Sequence, residues 1–227
     1  MELEILYHDK FIIAINKPNG LAVHRSSYIG NTADVFALQE LRNQIGQRVY
    51  PCHRLDRKTS GVLLFALDSE SNKNLHAQFI NNGIVKKYLA IVRGHTEEDG
   101  TIDYPLKNEK GVQQEAVTYY TTLNKTELDI PFGRFNTSRY SILEVKPQTG
   151  RIHQIRKHLA HINHPIIGDR PHGCNKQNKL FKDKFSMTTM MLHAKELTFT
   201  HPTEGNQITL QAPVYPEFSR MIETLKL

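Results

Sequence analysis

The sequence predicts an α+β fold with a mixed, largely antiparallel sheet and flanking helices. Short apolar and β-branched runs outnumber the stretches with helical periodicity, and several of these runs are joined by short turns. The chain has 227 residues, of which 39% are hydrophobic and 23% charged, so it is an ordinary globular sequence that can bury a substantial core. Because no repeat, low-complexity tract or linker interrupts it, we expect one domain over residues 1–227.

The first predicted elements are a strand and a helix. Residues 11–15 form a compact β-rich run that ends at the turn Asn16-Lys17-Pro18-Asn19-Gly20, where proline and glycine fix the backbone. Apolar residues at helical spacing predict a helix over residues 34–45. These residues are Val35, Leu38, Leu41 and Ile45.

Three elements and one loop are predicted in the next part of the chain. Residues 62–67 are continuously apolar, which is typical of a strand buried on both faces. Ser69 is expected to cap a helix that runs to about Asn82 and stops at the following glycine. Residues 87–92 indicate another strand, and residues 96–100 a polar loop.

The second half is predicted to contain two strands followed by a helix. The strands cover residues 116–122 and 139–145, and the helix opens at Thr149. The helix must end by Asn163-His164-Pro165, because proline cannot continue it. Its apolar stripe, flanked on opposite edges by Arg151 and Arg156, consists of Ile152, Ile155, Leu159 and Ile162.

The C-terminal part is predicted to contain a loop, a hairpin and a helix. Residues 175–187 are polar and rich in lysine, which favours a long surface loop. Residues 197–200 and 207–210 are expected to pair across the turn Glu204-Gly205-Asn206. Residues 218–225 form the last predicted helix.

Composition narrows the class of partner and the compartment. The formal net charge is +6, which favours polyanions, and nucleic acid is the commonest of these. Cys52 and Cys174 provide neither a disulfide framework nor a Cys-x-x-Cys zinc site. The N-terminus carries acids where a signal peptide carries lysines, and no apolar run is long enough for a bilayer. We therefore expect a soluble, cytoplasmic protein in a reducing environment, with no membrane partner.

One segment indicates chemistry on its own. His53-Arg54-Leu55-Asp56-Arg57-Lys58-Thr59-Ser60-Gly61 places a carboxylate between two arginines, directly before the apolar run at 62–67. The flanking guanidinium groups favour the ionised form of Asp56. A charged carboxylate beside cationic anchors suits nucleophilic or base chemistry on an anionic substrate. A charged surface turn with no chemical role explains the same spacing.

The segment around Asp56 resembles the signature of the RluA-type pseudouridine synthases, and further blocks follow in the order found in that family. They are Asn16-Lys17-Pro18-x-Gly20, Lys87-Tyr88-x-Ala90-x-Val92-x-Gly94, Thr149-Gly150-Arg151-x-His153-Gln154-Ile155-Arg156-x-His158, His164-Pro165-Ile166-Ile167-Gly168-Asp169 and Leu192-His193-Ala194. The resemblance implies a pseudouridine synthase fold with a central RNA-binding cleft. It also implies a single catalytic domain, with no S4-type RNA-binding domain before it.

The resemblance also implies roles for four residues. Asp56 corresponds to the catalytic aspartate, which acts as a nucleophile or a base. Arg54 corresponds to the arginine that helps to extrude the target base, and Tyr88 to the tyrosine that stacks on the uracil. Arg156 corresponds to the arginine that pairs with the catalytic aspartate. The isomerisation gains and loses no atoms, so neither a metal nor an organic cofactor is expected.

Substrate and rival functions remain open at this point. Further blocks are similar to tRNA-modifying members of the family, which implies uridine 65 of tRNA as the target. They are Gln44-Ile45-Gly46, Gly133-Arg134-Phe135-x-Thr137-x-Arg139-Tyr140 and His172-Gly173-x-x-x-Gln177-Asn178. The alternatives are an rRNA pseudouridine synthase and a non-catalytic RNA-binding module. A monomer is expected.

A metal site is a weaker hypothesis. His158, His161 and His164 recur every third residue near a predicted helix end, whereas a zinc hydrolase helix places its histidines four apart around a glutamate. The exposed edge of a basic helix explains these histidines equally well.

Overall fold

The computed structural model describes residues 1–24 and 35–227, and the chain divides into two compact units. Unit 1 comprises Met1–Lys86 and Ala194–Val214, and unit 2 comprises Lys87–His193 and Tyr215–Leu227. The predicted α+β class and the mixed, largely antiparallel sheet are confirmed. The expectation of a single catalytic domain stays a prediction.

Twelve strands and five helices are found in the described residues. In chain order they are β1 (Glu4–His8), β2 (Ile12–Lys17), α1 (Ala37–Ile45), β3 (Tyr50–Pro51), β4 (Ser60–Ala66), α2 (Ser69–Ile80), β5 (Val85–Arg93), β6 (Asp99–Asp103), β7 (Leu106–Lys107), β8 (Gln113–Gln114), β9 (Val117–Leu128), β10 (Ser138–Pro147), α3 (Gln154–His161), α4 (Asn175–Phe185), β11 (Leu192–Thr200), β12 (Gln207–Gln211) and α5 (Pro216–Leu225).

The sheet of unit 1 is built around two fully buried strands. Its order is β1-β2-β4-β11, with β12 beside β11 and β3 beside β4. β2 and β4 run antiparallel, from Ile12 opposite Ala66 to Lys17 opposite Gly61. Every residue of both strands is buried, which confirms the strand predicted over residues 62–67. Sequence-distant residues complete this core, among them Leu75, Leu197, Phe199 and Leu210.

Gly61 lets β4 approach the backbone of β11 closely. Its φ of +108° lies in a region that side chains rarely occupy. A Cβ atom at this position would lie 2.1 Å from the carbonyl oxygen of Ala194. Only glycine therefore fits at the start of the strand that follows the Asp56 segment.

Both helices of unit 1 start differently from the prediction. α1 begins at Ala37, and Val35 precedes it with 43% of its surface exposed, so the prediction that Val35 lies within the helix is wrong. The predicted start at Asp34 lies outside the described residues. α2 is capped by Asp68 rather than Ser69, because the Asp68 carboxylate accepts the Ser71 N–H at 2.8 Å. α2 ends at Ile80, two residues before the predicted Asn82.

The sheet of unit 2 has the order β5-β10-β9-β6, and β7 pairs with β8 separately. β10 runs antiparallel to β5, from Tyr140 opposite Arg93 to Val145 opposite Tyr88. These strands confirm the three predicted over residues 87–92, 116–122 and 139–145. The loop predicted over residues 96–100 is wrong at its end, since Asp99 already pairs with Thr121 in the β6–β9 ladder.

α3 starts five residues later than predicted. His153 precedes it with φ of 56°, and this left-handed conformation cannot belong to the helix. The helix therefore begins at Gln154, whose side chain accepts a hydrogen bond from the Thr149 hydroxyl at 2.7 Å. Ile152 is left outside and 41% exposed, so its predicted place on the buried stripe is wrong. The predicted end before Asn163 is confirmed.

Residues 175–187 do not form the predicted surface loop, because α4 covers Asn175–Phe185. The helix is anchored by two buried residues one turn apart, Gln177 and Phe181. The Gln177 amide donates to the Tyr140 hydroxyl, and the Phe181 ring meets the Tyr140 ring edge-on at 5.2 Å. The composition concealed this helix because its exposed residues are mainly lysines and polar residues.

The predictions of the C-terminal hairpin and of the last helix are confirmed. β11 and β12 pair antiparallel, with Leu197 opposite Leu210, and α5 covers Pro216–Leu225. Across residues 1–24 and 35–227, none of the helices combines the length and apolar character needed to traverse a bilayer.

Candidate active site

Asp56 lies in a tightly held loop of unit 1 between β3 and β4, and it is half-buried. The Thr59 N–H donates to the Asp56 carbonyl at 3.0 Å, which closes a turn. Arg57 ties this turn to the turn that follows β2, because its Nε donates to the Gly20 carbonyl at 2.9 Å and its own carbonyl accepts the Gly20 N–H at 2.8 Å. The loop that carries the carboxylate is therefore fixed by backbone bonds.

Lys17, at the end of β2, lies buried beneath this loop with 0% of its surface exposed. Its Nζ donates to the carbonyls of Pro18 and Leu21, both at 2.8 Å, and of Arg57 at 3.3 Å. Burial lowers the pKa of Lys17 to about 7, against the opposing effect of the negative charge on Asp56. A buried ammonium thus connects the two motifs Asn16-Lys17-Pro18 and His53–Gly61 electrostatically.

His53 anchors the loop to β4. Its Nε2 accepts the Leu64 N–H at 3.1 Å, and its ring stacks on Phe79 with centroids 4.9 Å apart. Burial lowers the pKa of His53 to about 3, and the charges of Lys86 and His76 act in the same direction. The ring is therefore neutral at physiological pH, as an acceptor of an N–H bond must be.

Arg54 extends into solvent two residues before Asp56. Its charge reaches His24, whose pKa is lowered first by burial and second by Arg54. An exposed guanidinium on a fixed loop can contact an anionic ligand directly.

Tyr88 and Arg156 lie in unit 2. Tyr88 is half-buried on β5 opposite Val145. Arg156 lies on the first turns of α3 and is 6% exposed. Its Nε and Nη2 donate to the two carboxylate oxygens of Asp169, each at 2.8 Å. This two-pronged contact fixes the plane of the guanidinium.

Asp169 is ionised despite being buried. Burial alone raises the pKa of its carboxyl, but the hydrogen bonds and charge of Arg156, together with the His172 N–H, outweigh this effect and hold the pKa below its ordinary value. The pair is thus an arginine and a carboxylate that are both charged and both removed from water.

Polar groups on α3 are joined to β9 in a closed network. Gln154 donates to the Thr118 hydroxyl at 3.0 Å, and this hydroxyl lies 2.9 Å from His158 Nδ1. His158 Nε2 lies 2.9 Å from the Tyr104 carbonyl, which can only accept, so Nε2 carries the proton and Nδ1 accepts. His158 is 0% exposed, and the explanation that placed it on an exposed helix edge is wrong.

The other histidines of this region have separate contacts. His161 is exposed and stacks on Tyr104, with ring centroids 3.7 Å apart. His153 Nδ1 and His172 Nε2 lie 2.9 Å apart, which joins the entrance of α3 to the segment before α4. Within the described ranges, no group of three or more histidine, cysteine, aspartate or glutamate residues is arranged to hold a metal ion.

Comparison with known proteins identifies the family. The family described as RNA pseudouridylate synthase matches residues 11–161, a stretch that contains Asp56, Tyr88 and Arg156. The chain belongs to this family. It is 46% identical to tRNA pseudouridine synthase C of Vibrio parahaemolyticus over 94% of this chain and 91% of that protein. It is 47% identical to tRNA pseudouridine synthase C of Vibrio cholerae over 92% of this chain and 90% of that protein.

A solved structure supports the same fold. Human RNA pseudouridylate synthase domain containing 4 superimposes with a TM-score of 0.74 at 25% identity, covering 98% of this chain and 93% of that one. The pseudouridine synthase fold that the sequence blocks implied is therefore confirmed.

Sequence reasoning missed one buried residue in each unit. They are Lys17, under the Asp56 loop, and Asp169, the partner of Arg156. Both lie within blocks that already carried the family resemblance, which was the available signal. The assignments of Arg54, Asp56, Tyr88 and Arg156 to one catalytic site stay predictions.

Proposed function

We propose that this chain isomerises a uridine of tRNA to pseudouridine, with uridine 65 as the target. The identity of 46% over 94% of the chain to a tRNA pseudouridine synthase C carries this proposal. The formal net charge of +6 supports a polyanionic substrate.

The reaction breaks the N1–C1′ glycosidic bond, rotates the uracil and joins C5 to C1′. The proton on C5 is then lost and N1 gains one, so atoms and charge balance. Asp56 supplies the carboxylate, either as a nucleophile or as a base that removes a sugar proton. The backbone hydrogen bond from Thr59 to Asp56 supports this role, because a fixed turn limits the reorganisation needed to position the carboxylate.

Three further residues serve the flipped base. A stacked uridine must leave the helix to react, and the exposed Arg54 fills the space that it vacates. Tyr88 stacks on the uracil, a contact of roughly 1–3 kcal/mol. Arg156, whose orientation Asp169 fixes, pairs with Asp56 and keeps it charged.

Mapping pseudouridine in RNA from cells with and without this protein tests the substrate. We expect loss of one modification in tRNA, at uridine 65, and its return with the wild-type gene. Loss of a modification in rRNA alone would assign the alternative substrate and contradict the proposal.

Asp56→Ala tests the chemistry. Tritium release from tRNA labelled at C5 of uridine should fall to background, while tRNA binding largely survives. Asp129→Ala is the matched control, because it removes an exposed carboxylate outside the blocks of family resemblance. Turnover retained by Asp56→Ala would contradict the role of Asp56. Wild-type protein that binds tRNA but releases no tritium would support the non-catalytic RNA-binding module instead.

We further infer a cytoplasmic monomer. Both cysteines are free thiols, which fits a reducing compartment. Light scattering of the purified protein should give a mass near 26.1 kDa, and a doubled mass would contradict the monomer.

A further inference from the structure

Unit 2 contains a basic pocket of about 180 Å³ beside α4. Its wall includes Gly168, Arg170, Asn175, Asn178, Lys179 and Lys182, and we call it the α4 pocket. Three of its lining residues are cationic and none is acidic. The segment that forms most of its wall is the one that composition alone assigned to a loop.

One face of α4 supplies the polar wall. Asn178 and Lys179 follow Asn175 by three and four residues and precede Lys182 by four and three, so the four side chains share a side of the helix. The lysines are exposed, as is Arg170 across the pocket. Three cations held near one another repel, and an anion between them relieves this repulsion.

The floor of the pocket is rigid. The Gly168 N–H donates to Asn178 Oδ1 at 2.9 Å, and Asn178 Nδ2 donates to the Asp169 carbonyl at 2.7 Å. Gly168 has φ of +82°, and a Cβ atom there would lie 2.0 Å from the Thr189 carbonyl oxygen. The segment before Arg170 is therefore held in one conformation.

The same segment belongs to the candidate site. Asp169 directs its carboxylate to Arg156 and its carbonyl to Asn178, while Arg170 lines the pocket. An anion bound by Arg170 would thus contact the residue that directly follows Asp169, whose carboxylate orients Arg156. This links the α4 pocket physically to a residue that the proposed reaction uses.

We propose that the α4 pocket binds a backbone phosphate of the substrate RNA, in addition to the contacts with the flipped uridine. This inference rests on the proposed function for the identity of the RNA. A phosphate group is small enough for the pocket, and lysine and arginine are its usual partners. The exposed position of all three cations suits a polyanion that passes along the surface rather than an enclosed small anion.

Two double variants with equal charge change test the proposal. Lys179→Gln/Lys182→Gln removes the two lysines of the pocket. Lys176→Gln/Lys184→Gln removes two exposed lysines of the same helix that do not line the pocket. Lysine and glutamine have similar helix propensities, so both variants should fold, and equal urea midpoints check this.

The readout is tRNA affinity at several salt concentrations. We expect the pocket variant to bind on the order of tenfold more weakly and to lose roughly one to two units of the slope of log Kd against log salt. The control should stay within about twofold of wild type, since diffuse surface charge is largely screened. At saturating tRNA, kcat of the pocket variant should remain near wild type while KM rises.

Equal losses of tRNA affinity in the two variants would overturn the proposal, because the loss would then follow from the reduced net charge and not from the pocket.

A second experiment uses inorganic phosphate at constant ionic strength to distinguish binding of a small anion from binding of RNA. If phosphate raises the Tm of wild type but not of the pocket variant, and both variants bind tRNA equally, the pocket holds a small anion and the proposal fails. If the pocket variant alone loses tRNA affinity but wild type forms no pseudouridine, the pocket assignment stands and the proposed function fails.

Discussion

Each unit contains a buried cation, and the charges of the two cations are compensated differently. In unit 1, Lys17 donates to three backbone carbonyls. In unit 2, Arg156 meets the carboxylate of Asp169 through two hydrogen bonds. Carbonyl dipoles compensate a buried charge only partly, whereas a carboxylate supplies a full opposite charge.

Because of this difference, the stability of the two units should depend on different conditions. Burial lowers the pKa of Lys17 to about 7, so this cation can lose its proton near neutral pH. Arginine does not deprotonate in proteins, so Arg156 requires its carboxylate at every pH. Unit 1 should therefore respond to pH, and unit 2 to the loss of one partner.

The largest effect is expected for Arg156→Met, which leaves the buried carboxylate of Asp169 without its guanidinium. The free energy of unfolding in urea should fall by about 3–5 kcal/mol. The double variant Arg156→Met/Asp169→Leu should recover most of this loss, because no charge is left buried. If Arg156→Met lowers the free energy of unfolding by less than about 1 kcal/mol, the Arg156–Asp169 pair does not stabilise unit 2 as expected.

The next effect concerns Lys17. Between pH 7 and 10.5 the unfolded chain keeps a proton that folded Lys17 has lost, so the free energy of unfolding rises with pH in this window. The rise should be on the order of 2–3 kcal/mol from pH 7 to 9. Lys17→Met should lack it, whereas Lys73→Met, an exposed lysine of α2, should retain it. If the free energy of unfolding depends on pH identically in wild type and in Lys17→Met, Lys17 is not the source of the pH dependence expected for unit 1.

Tyr88 tests whether unit 2 contributes a ring as well as a cation. Tyr88→Leu should lower kcat/KM by an amount that corresponds to about 1–3 kcal/mol, because it removes a stacking face. Tyr88→Phe keeps that face and should retain part of the activity. Equal activity of the two variants would argue against stacking on the uracil.

The smallest effect is expected from His53, which holds the Asp56 loop as a neutral acceptor. Its pKa is lowered from 6.5 to about 3, so the unfolded chain gains a proton first as the pH falls. The free energy of unfolding should then fall by about 1 kcal/mol per pH unit below pH 6.5. His53→Gln should reduce this fall and exposed His8→Gln should not, as urea unfolding at three pH values can show. A fall that His53→Gln leaves unchanged would mean that this ring does not set the acid sensitivity.

Local patterns predicted the parts of the fold that depend on neighbours in sequence. The apolar run at 62–67 gave a correct strand because hydrophobicity alone decides its burial. α4 was missed because its anchor is a glutamine, and Gln177 is buried only where Tyr140 meets it from β10. The start of α3 was misplaced because the left-handed conformation of His153 leaves no mark in the sequence.

In the candidate site too, sequence motifs predicted some residues, whereas residues defined by tertiary contacts were missed. The family blocks supplied Asp56, Arg54, Tyr88 and Arg156 as motif positions. Spacing did not indicate that Lys17 is buried, because the Arg57 carbonyl that covers its ammonium group comes from a distant part of the chain. Asp169 was likewise hidden as a partner, since an ion pair between a helix and a later loop is a tertiary contact.

The close contact between Gly61 and the backbone of Ala194 affects how the chain folds during synthesis. The strand that follows the Asp56 loop is completed by backbone at Ala194, which leaves the ribosome much later. Until then one edge of β4 in the nascent chain is paired only with the two-residue β3, and exposed edges invite pairing with other chains. The N-terminal part of unit 1 therefore depends on its C-terminal segment to become protected, which makes its assembly slow and non-local.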